Sequence, residues 1–175
     1  NDYIKAFDST GLTVRVFDLP VFRPTVGRSI DVLTLALDEF APSGPVVVQA
    51  YHTASEFLTA LLRRRNPRVR SIASWRDMGI FRKPAHVLAQ RAVADHIDRL
   101  LVVSDAVRVA AAARTGVPAA HIGVIHNGID TERFRPPVGE ERASMRAQLG
   151  LAPDDVASLT VGSFHNFKGQ DMVLQ

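Results

Sequence analysis

Val124-Ile125-His126-Asn127-Gly128-Ile129-Asp130-Thr131-Glu132-Arg133-Phe134-Arg135-Pro136 is the stretch on which the fold turns. Apolar Ile122, Val124 and Ile125 run into Asn127-Gly128, residue types that readily take the left-handed turn conformations others avoid. The chain then leaves through Phe134-Arg135-Pro136-Pro137, where proline stops regular structure and stiffens a connection. A strand that ends in a polar turn and a stiff exit predicts a domain edge facing a cleft. In parallel α/β proteins that edge is where ligands sit.

Upstream, strand-like runs alternate with helical patterns. Val14-Arg15-Val16-Phe17 reads as a strand, and Ile30, Leu33, Leu37 and Phe40 then share one helical face. After Ala41-Pro42-Ser43-Gly44-Pro45, the uninterrupted Val46-Val47-Val48 predicts a strand buried on both faces. Thr53 or Ser55 is the expected cap of a helix carrying Phe57, Leu58, Leu61 and Leu62. Residues 69–75 read as a strand and 84–97 as a helix with proline in its first turn. Leu100-Leu101-Val102-Val103 is a further buried strand, ending at Ser104, a good cap for the Ala-rich helix 105–115 that Gly116 closes. This alternation predicts a doubly wound parallel sheet with right-handed crossovers.

Beyond the prolines the order begins again: a helix over 140–149 ended by Gly150, a strand over 157–161, a loop over 162–169 and a helix from Gln170. The boundary falls near 131–138. We expect an N-terminal domain over 1–135 and the opening of a second over 136–175. The first residue is not methionine and the last lies in a helix just begun, so both ends are expected to be cuts in a longer chain.

The composition excludes several classes. Among 175 residues, 46% are hydrophobic and 22% charged, ordinary values for a globular protein. Without cysteine there is no disulfide framework or thiolate metal site, which is compatible with a reducing compartment and an expected cytoplasmic location. No apolar run approaches the roughly 18–20 residues of a membrane span. The net charge is +3, and arginine far outnumbers lysine. The densest basic run, Arg63 to Arg70, reads first as a helix C-terminus complementing the helix dipole. Its alternative is a surface for anionic lipid or phosphorylated substrate, which leaves peripheral membrane contact open. Nucleic acid is not expected, since no aromatic residues interleave with the arginines.

The chemical candidates cluster at predicted strand ends. In the loop from Gly162 to Gly169, free backbone N–H groups at a helix start suit phosphate, Gly162 permits close approach, and Lys168 brings a mobile charge. An ordinary βα turn with a solvated lysine accounts for the same residues. His52 follows one strand and Arg76-Asp77 another, where side chains enter the crevice; a structural histidine and a local ion pair are the plain alternatives. Ser104 is most simply a cap that also lines a cleft. There is no Gly-x-Ser-x-Gly elbow, HExxH or Asp-x-Asp, so a serine hydrolase, a zinc site and a paired-aspartate metal site are unsupported.

Taken together, Ser104-Asp105-Ala106-Val107, Gly116 to Ile122, Val124 to Asp130 and Phe134-Arg135-Pro136 resemble the domain junction of family-4 retaining glycosyltransferases. Leu149-Gly150-Leu151, Thr160-Val161-Gly162 and Lys168-Gly169 resemble the first strand-loop-helix of that family's donor domain. The resemblance implies a GT-B fold, with two Rossmann-like domains facing across a cleft. It implies retaining transfer from a nucleotide-diphosphate-sugar co-substrate to a glycan, lipid or small-molecule acceptor, with no metal and no other cofactor. Gly162, Ser163, Lys168 and Gly169 would contact the donor diphosphate. His52, Arg76, Asp77, Ser104, Asn127 and Gly128 would line the cleft or acceptor side. No catalytic residue is assigned.

Two positions depart from the family pattern. Ser163 stands where arginine commonly follows the glycine, and Arg76 where many members have histidine before the aspartate. The family's Gly-rich first loop would precede Asn1 and its donor-gripping glutamates would follow Gln175, so the 175 residues alone are expected to be inactive. Two alternatives keep the architecture: a sugar-nucleotide epimerase or phosphorylase of GT-B type, and a non-catalytic binding protein.

Overall fold

The computed structural model describes residues 17, 19, 26–79, 82–165 and 168–173. Residues 14–16 of the strand expected over 14–17 lie outside them. The chain divides into two compact units, before and after the Asn127–Gly128 bond.

In the first unit, α1 (Val26–Phe40) leads into β1 (Val46–Tyr51), followed by α2 (Thr53–Arg65), β2 (Val69–Trp75), α3 (Pro84–Ala92), β3 (Arg99–Val102), α4 (Asp105–Thr115) and β4 (Ile122–Val124). The four strands form one parallel sheet in the order β1-β2-β3-β4. Its register pairs Val46 with Val69, Leu100 with Ala73 and Ile122 with Leu100. Because side chains alternate along a strand, Val48, Ser71, Ala73, Trp75, Leu100, Val102 and Ile122 then share one face. Against that face pack Ala60 of α2, Val93, Ala94 and Ile97 after α3, and Val107 and Ala111 of α4. A smaller cluster joins Ile30 of α1 to Leu58, Leu62 and Val69. Burying each of the larger side chains, such as Ile30, Leu62 and Leu100, contributes about 1.5–3 kcal/mol.

On the opposite face, at the sheet edge, Val47 is 64% exposed. This corrects the expectation of a β1 buried on both faces, for β1 is the edge of the described sheet and alternates inward and outward. The helix expected over 84–97 ends at Ala92, and a 3-10 turn over Ala94–His96 follows. That tightening lets Val93, Ala94 and Ile97 all reach the core.

Helix α4 is bounded as its sequence predicts. The Ser104 hydroxyl accepts the Val107 N–H, and Gly116 closes the helix in the left-handed conformation at φ 79. Helix α2 is not: neither Thr53 nor Ser55 caps it. His52 occupies the cap position, and the Ser55 hydroxyl instead donates back to the Tyr51 and His52 carbonyls.

Part of the basic run is paired within the fold, while Arg64, Arg65 and Arg70 are exposed. Arg63 pairs with Asp98 and Arg65 with Asp31, while Arg68 binds Asp38 and the Ala41 and Pro42 carbonyls that end α1. These contacts favour the structural reading of Arg63 to Arg70 over a free anion-attracting surface.

The second unit contains α5 (Glu141–Gln148) and α6 (Gln170–Val173). Gly150 ends α5 in the left-handed conformation at φ 67. The strand expected over 157–161 is absent: the segment is extended but unpaired, with Leu159 and Val161 87% and 85% exposed. A strand exists through hydrogen bonds to a neighbour, and no neighbour runs beside it among the described residues. Among those residues no helix is long and apolar enough to cross a membrane.

Candidate functional site

The register sets four strand ends side by side. Tyr51 pairs with Ser74, Trp75 with Val102, and Val102 with Val124. His52, Arg76, Ser104 and Asn127 therefore follow their strands along the same C-terminal edge, each reached by a short exit from a buried strand. This is the edge at which parallel sheets present ligand-binding groups.

His52 has φ 73 and ψ 154, and is the non-glycine with positive φ among the described residues. That region is essentially a glycine region and costs on the order of 1–3 kcal/mol for a residue with a side chain. The distortion turns the chain from β1 directly into α2. Its carbonyl accepts the Glu56 N–H at 3.0 Å as the helix begins.

After β2, the exposed Arg76 guanidinium donates to Asn127 Oδ1 at 2.9 Å, joining the exits of β2 and β4. Asp77 turns away from an ion pair and accepts the Gly79 N–H at 2.6 Å, closing a local turn. Gly79 sits at φ 68. A methyl group there would meet Trp75 Cζ3 and Arg114 Nη1 at 3.2 Å and Arg82 Cδ at 3.3 Å.

Beneath this turn lies a buried polar network that no short motif announces. The Arg82 guanidinium binds Glu56 through both oxygens, at 2.9 and 3.0 Å. Trp75 Nε1 and Gln90 Nε2 donate to the same carboxylate at 3.2 and 2.9 Å. Arg82 stacks 3.9 Å over the Trp75 ring. The side chains of Glu56 and Arg82 are 1% and 9% exposed, so removing one partner strands a buried charge at a cost of about 3–5 kcal/mol. From α4, Arg114 Nη1 donates to the Met78 and Gly79 carbonyls at 2.9 and 3.0 Å.

Ser104 serves α4 as its cap, and Asp105 in the first turn pairs with Arg108 at 3.0 Å. The expected turn at Asn127-Gly128 does not form: neither residue has positive φ. The turn lies three residues on, where Asp130 Oδ1 accepts the Glu132 and Arg133 N–H groups and the Asp130 carbonyl accepts that of Phe134. The Asp130 side chain satisfies two backbone N–H groups of its own turn, whereas Asn127 Oδ1 is engaged by Arg76.

Gly162, Ser163, Lys168 and Gly169 belong to the second unit. A Cβ at Gly162 would lie 3.6 Å from Lys168 Cδ, so the lysine stem passes over the glycine. Gly169 takes φ 68, and the Ser163 carbonyl accepts from Gln170 Nε2 at 3.0 Å. Lys168 is exposed. The following helix, α6, begins at Gln170. Among the described residues no three His, Asp or Glu side chains converge as a metal site would require.

This architecture has close counterparts. A structure of Anabaena Alr3699/HepE in complex with UDP superposes with a TM-score of 0.60 at 17% identity, covering 85% of this chain and 40% of that one. The same protein with UDP and glucose gives 0.54. Over 92 residues the chain is 36% identical to the D-inositol 3-phosphate glycosyltransferases of Mycobacterium bovis (strain BCG / Pasteur 1173P2) and Mycobacterium tuberculosis (strain ATCC 25618 / H37Rv). That alignment covers 53% of this chain and 18% of theirs, so the chain matches a small part of the length of these curated relatives. Residues 5–133 match Glycosyltransferase Family 4, and the chain, with its parallel sheet of GT-B type, belongs to that family.

Proposed function

We propose that the intact protein is a retaining glycosyltransferase moving a sugar from a nucleotide-diphosphate-sugar to an acceptor hydroxyl, without a bound metal. The carrying observation is the row His52, Arg76, Ser104 and Asn127 along one C-terminal sheet edge, in a chain of this family. The row supplies hydrogen-bonding and cationic groups on the acceptor side, with Asp77 fixing the turn and Gly128 continuing the backbone.

In this reading the bond from the anomeric carbon to the diphosphate breaks, a bond to the acceptor oxygen forms on the same face, and the hydroxyl proton leaves with the nucleoside diphosphate. Lys168, beside Gly162, Ser163 and Gly169, neutralises charge growing on that leaving group, work that a metal performs in other sites. The UDP bound by the Anabaena protein supports a nucleotide-sugar donor. The substrate named for the mycobacterial relatives supports a phosphorylated polyol as acceptor, and the exposed Arg76 guanidinium suits a phosphate. The reading carries a cytoplasmic location, and turnover belongs to the intact protein rather than to these 175 residues alone.

The test is sugar transfer by the intact protein from UDP-glucose and other nucleotide-sugars, with D-inositol 3-phosphate among the acceptors. Lys168→Ala is expected to lower turnover at least ~10-fold, since losing a charge-assisted phosphate contact costs about 1.5–3 kcal/mol. Unchanged turnover removes Lys168 from the donor site. Binding of nucleotide without transfer to any acceptor favours a non-catalytic protein of the same fold.

A further inference from the structure

The buried network under the β2 exit has no part in the chemistry proposed above, yet through Arg82 it reaches the turn that carries Arg76. The geometry points to Glu56, Arg82 and Arg114 as positioning residues: they hold Arg76 at the acceptor side in a fixed place, a role that rests on the proposed function of that edge.

The argument runs through four contacts. Glu56 is buried in α2 and cannot move without unpacking that helix. Its carboxylate fixes the Arg82 guanidinium through two hydrogen bonds, and the Trp75 ring covers the same guanidinium. The Arg82 backbone N–H donates to the Gly79 carbonyl at 3.1 Å, and the Gly79 N–H donates to Asp77, the neighbour of Arg76. Arg114 reaches in from α4 to bind the Met78 and Gly79 carbonyls, so the turn is held from two independent elements.

A surface turn needs no such foundation for its own stability. A buried ion pair is replaceable by apolar packing with little or no loss, so stability alone does not account for Glu56 and Arg82. Fixing a long arginine side chain in advance removes the entropy its ordering would otherwise cost when an anion binds. Asn127 Oδ1, accepting from Arg76 at 2.9 Å, holds the far end of the same side chain.

Glu56→Gln, which removes the charge and one acceptor, and Arg82→Lys, which loses the two-point contact with Glu56 and the stack on Trp75, are the direct variants. Arg114→Gln removes the outer anchor and leaves the buried pair intact, so it stays informative where the other two fold poorly. In the intact protein, amide hydrogen exchange over 76–79 is expected to rise at least about tenfold in each variant. The acceptor KM is expected to rise about tenfold with kcat kept within about threefold, the signature of lost acceptor positioning. A lower melting temperature with unchanged exchange and unchanged KM overturns the inference, as does faster exchange with unchanged KM. If the unaltered protein transfers no sugar, the proposed function fails separately, and inorganic phosphate becomes the probe. Affinity for phosphate that falls about tenfold or more in the three variants then supports positioning of Arg76. Equal affinity, or no binding to the unaltered protein, overturns it.

Discussion

His52 carries a backbone conformation that a side chain makes costly, and it does so at the C-terminal end of β1. Glycine would occupy the same φ and ψ without penalty. His52→Gly is therefore expected to raise unfolding free energy by about 1 kcal/mol, relief of strain exceeding the added freedom of the unfolded chain. Urea denaturation measures this, and a lower midpoint would show that the imidazole holds the fold together. Gly79 presents the opposite case, because φ 68 and three contacts under 3.4 Å leave no place for a methyl group. The arginine ends can give way, but the Trp75 ring is 1% exposed and held by Glu56. Gly79→Ala should destabilise by about 2 kcal/mol, read as a fall in melting temperature. The place of His52 just after β1 was legible from the apolar run before it. Its strain was not, because backbone angles follow from how β1 must turn into α2.

At the scale of elements, Asp98 binds three of them together before β3 begins. Its Oδ2 accepts the Ser71 N–H of β2 at 2.8 Å and Arg63 Nε of α2 at 3.1 Å, while its own N–H donates to Ser71 Oγ. Burial pushes this carboxyl up, but the Ser71 N–H and the Arg63 and Arg70 charges outweigh it and hold the group below its ordinary 3.8. The folded state thus favours the carboxylate, and the stability it contributes is complete above the unfolded value. It is lost as pH falls from 3.8 through the lower folded value. Asp98→Asn is expected to cost about 1 kcal/mol at neutral pH, discounted for partial exposure, and to flatten the loss of stability in that acid window. Melting temperatures measured across the window check both. Glu141 has the same sense in the second unit: Arg135 and the Val138 N–H hold it below its usual range. The helices themselves were plain in the sequence, since periodicity and caps such as Ser104 and Gly116 act within one turn. The unpaired segment 157–161 was misread because its pattern is that of a strand, while pairing depends on a neighbour that pattern does not contain.

Among the described residues of the first unit, helices pack on a four-stranded parallel sheet around a main cluster in which Leu100 is 0% exposed. Leu100→Ala leaves a cavity that neighbours on three strands and two helices cannot fill. A loss of about 2–5 kcal/mol is expected, seen as a lower calorimetric transition for the unit before Gly128. A loss under ~1 kcal/mol would mean that the helices collapse onto the sheet more freely than this packing implies.

By itself the sequence determined the alternation of strands and helices, the parallel sheet and the family, because these rest on short-range patterns of burial, capping and breaking. It also placed His52, Arg76, Ser104 and Asn127 at strand ends. Only the tertiary structure decided what those ends share. Arg76 meets Asn127 across 51 residues, and Arg82 meets Glu56 across 26. Contacts of that range are made by the register of the sheet and the packing of α2 beneath it, and neither is written in any local run of residues.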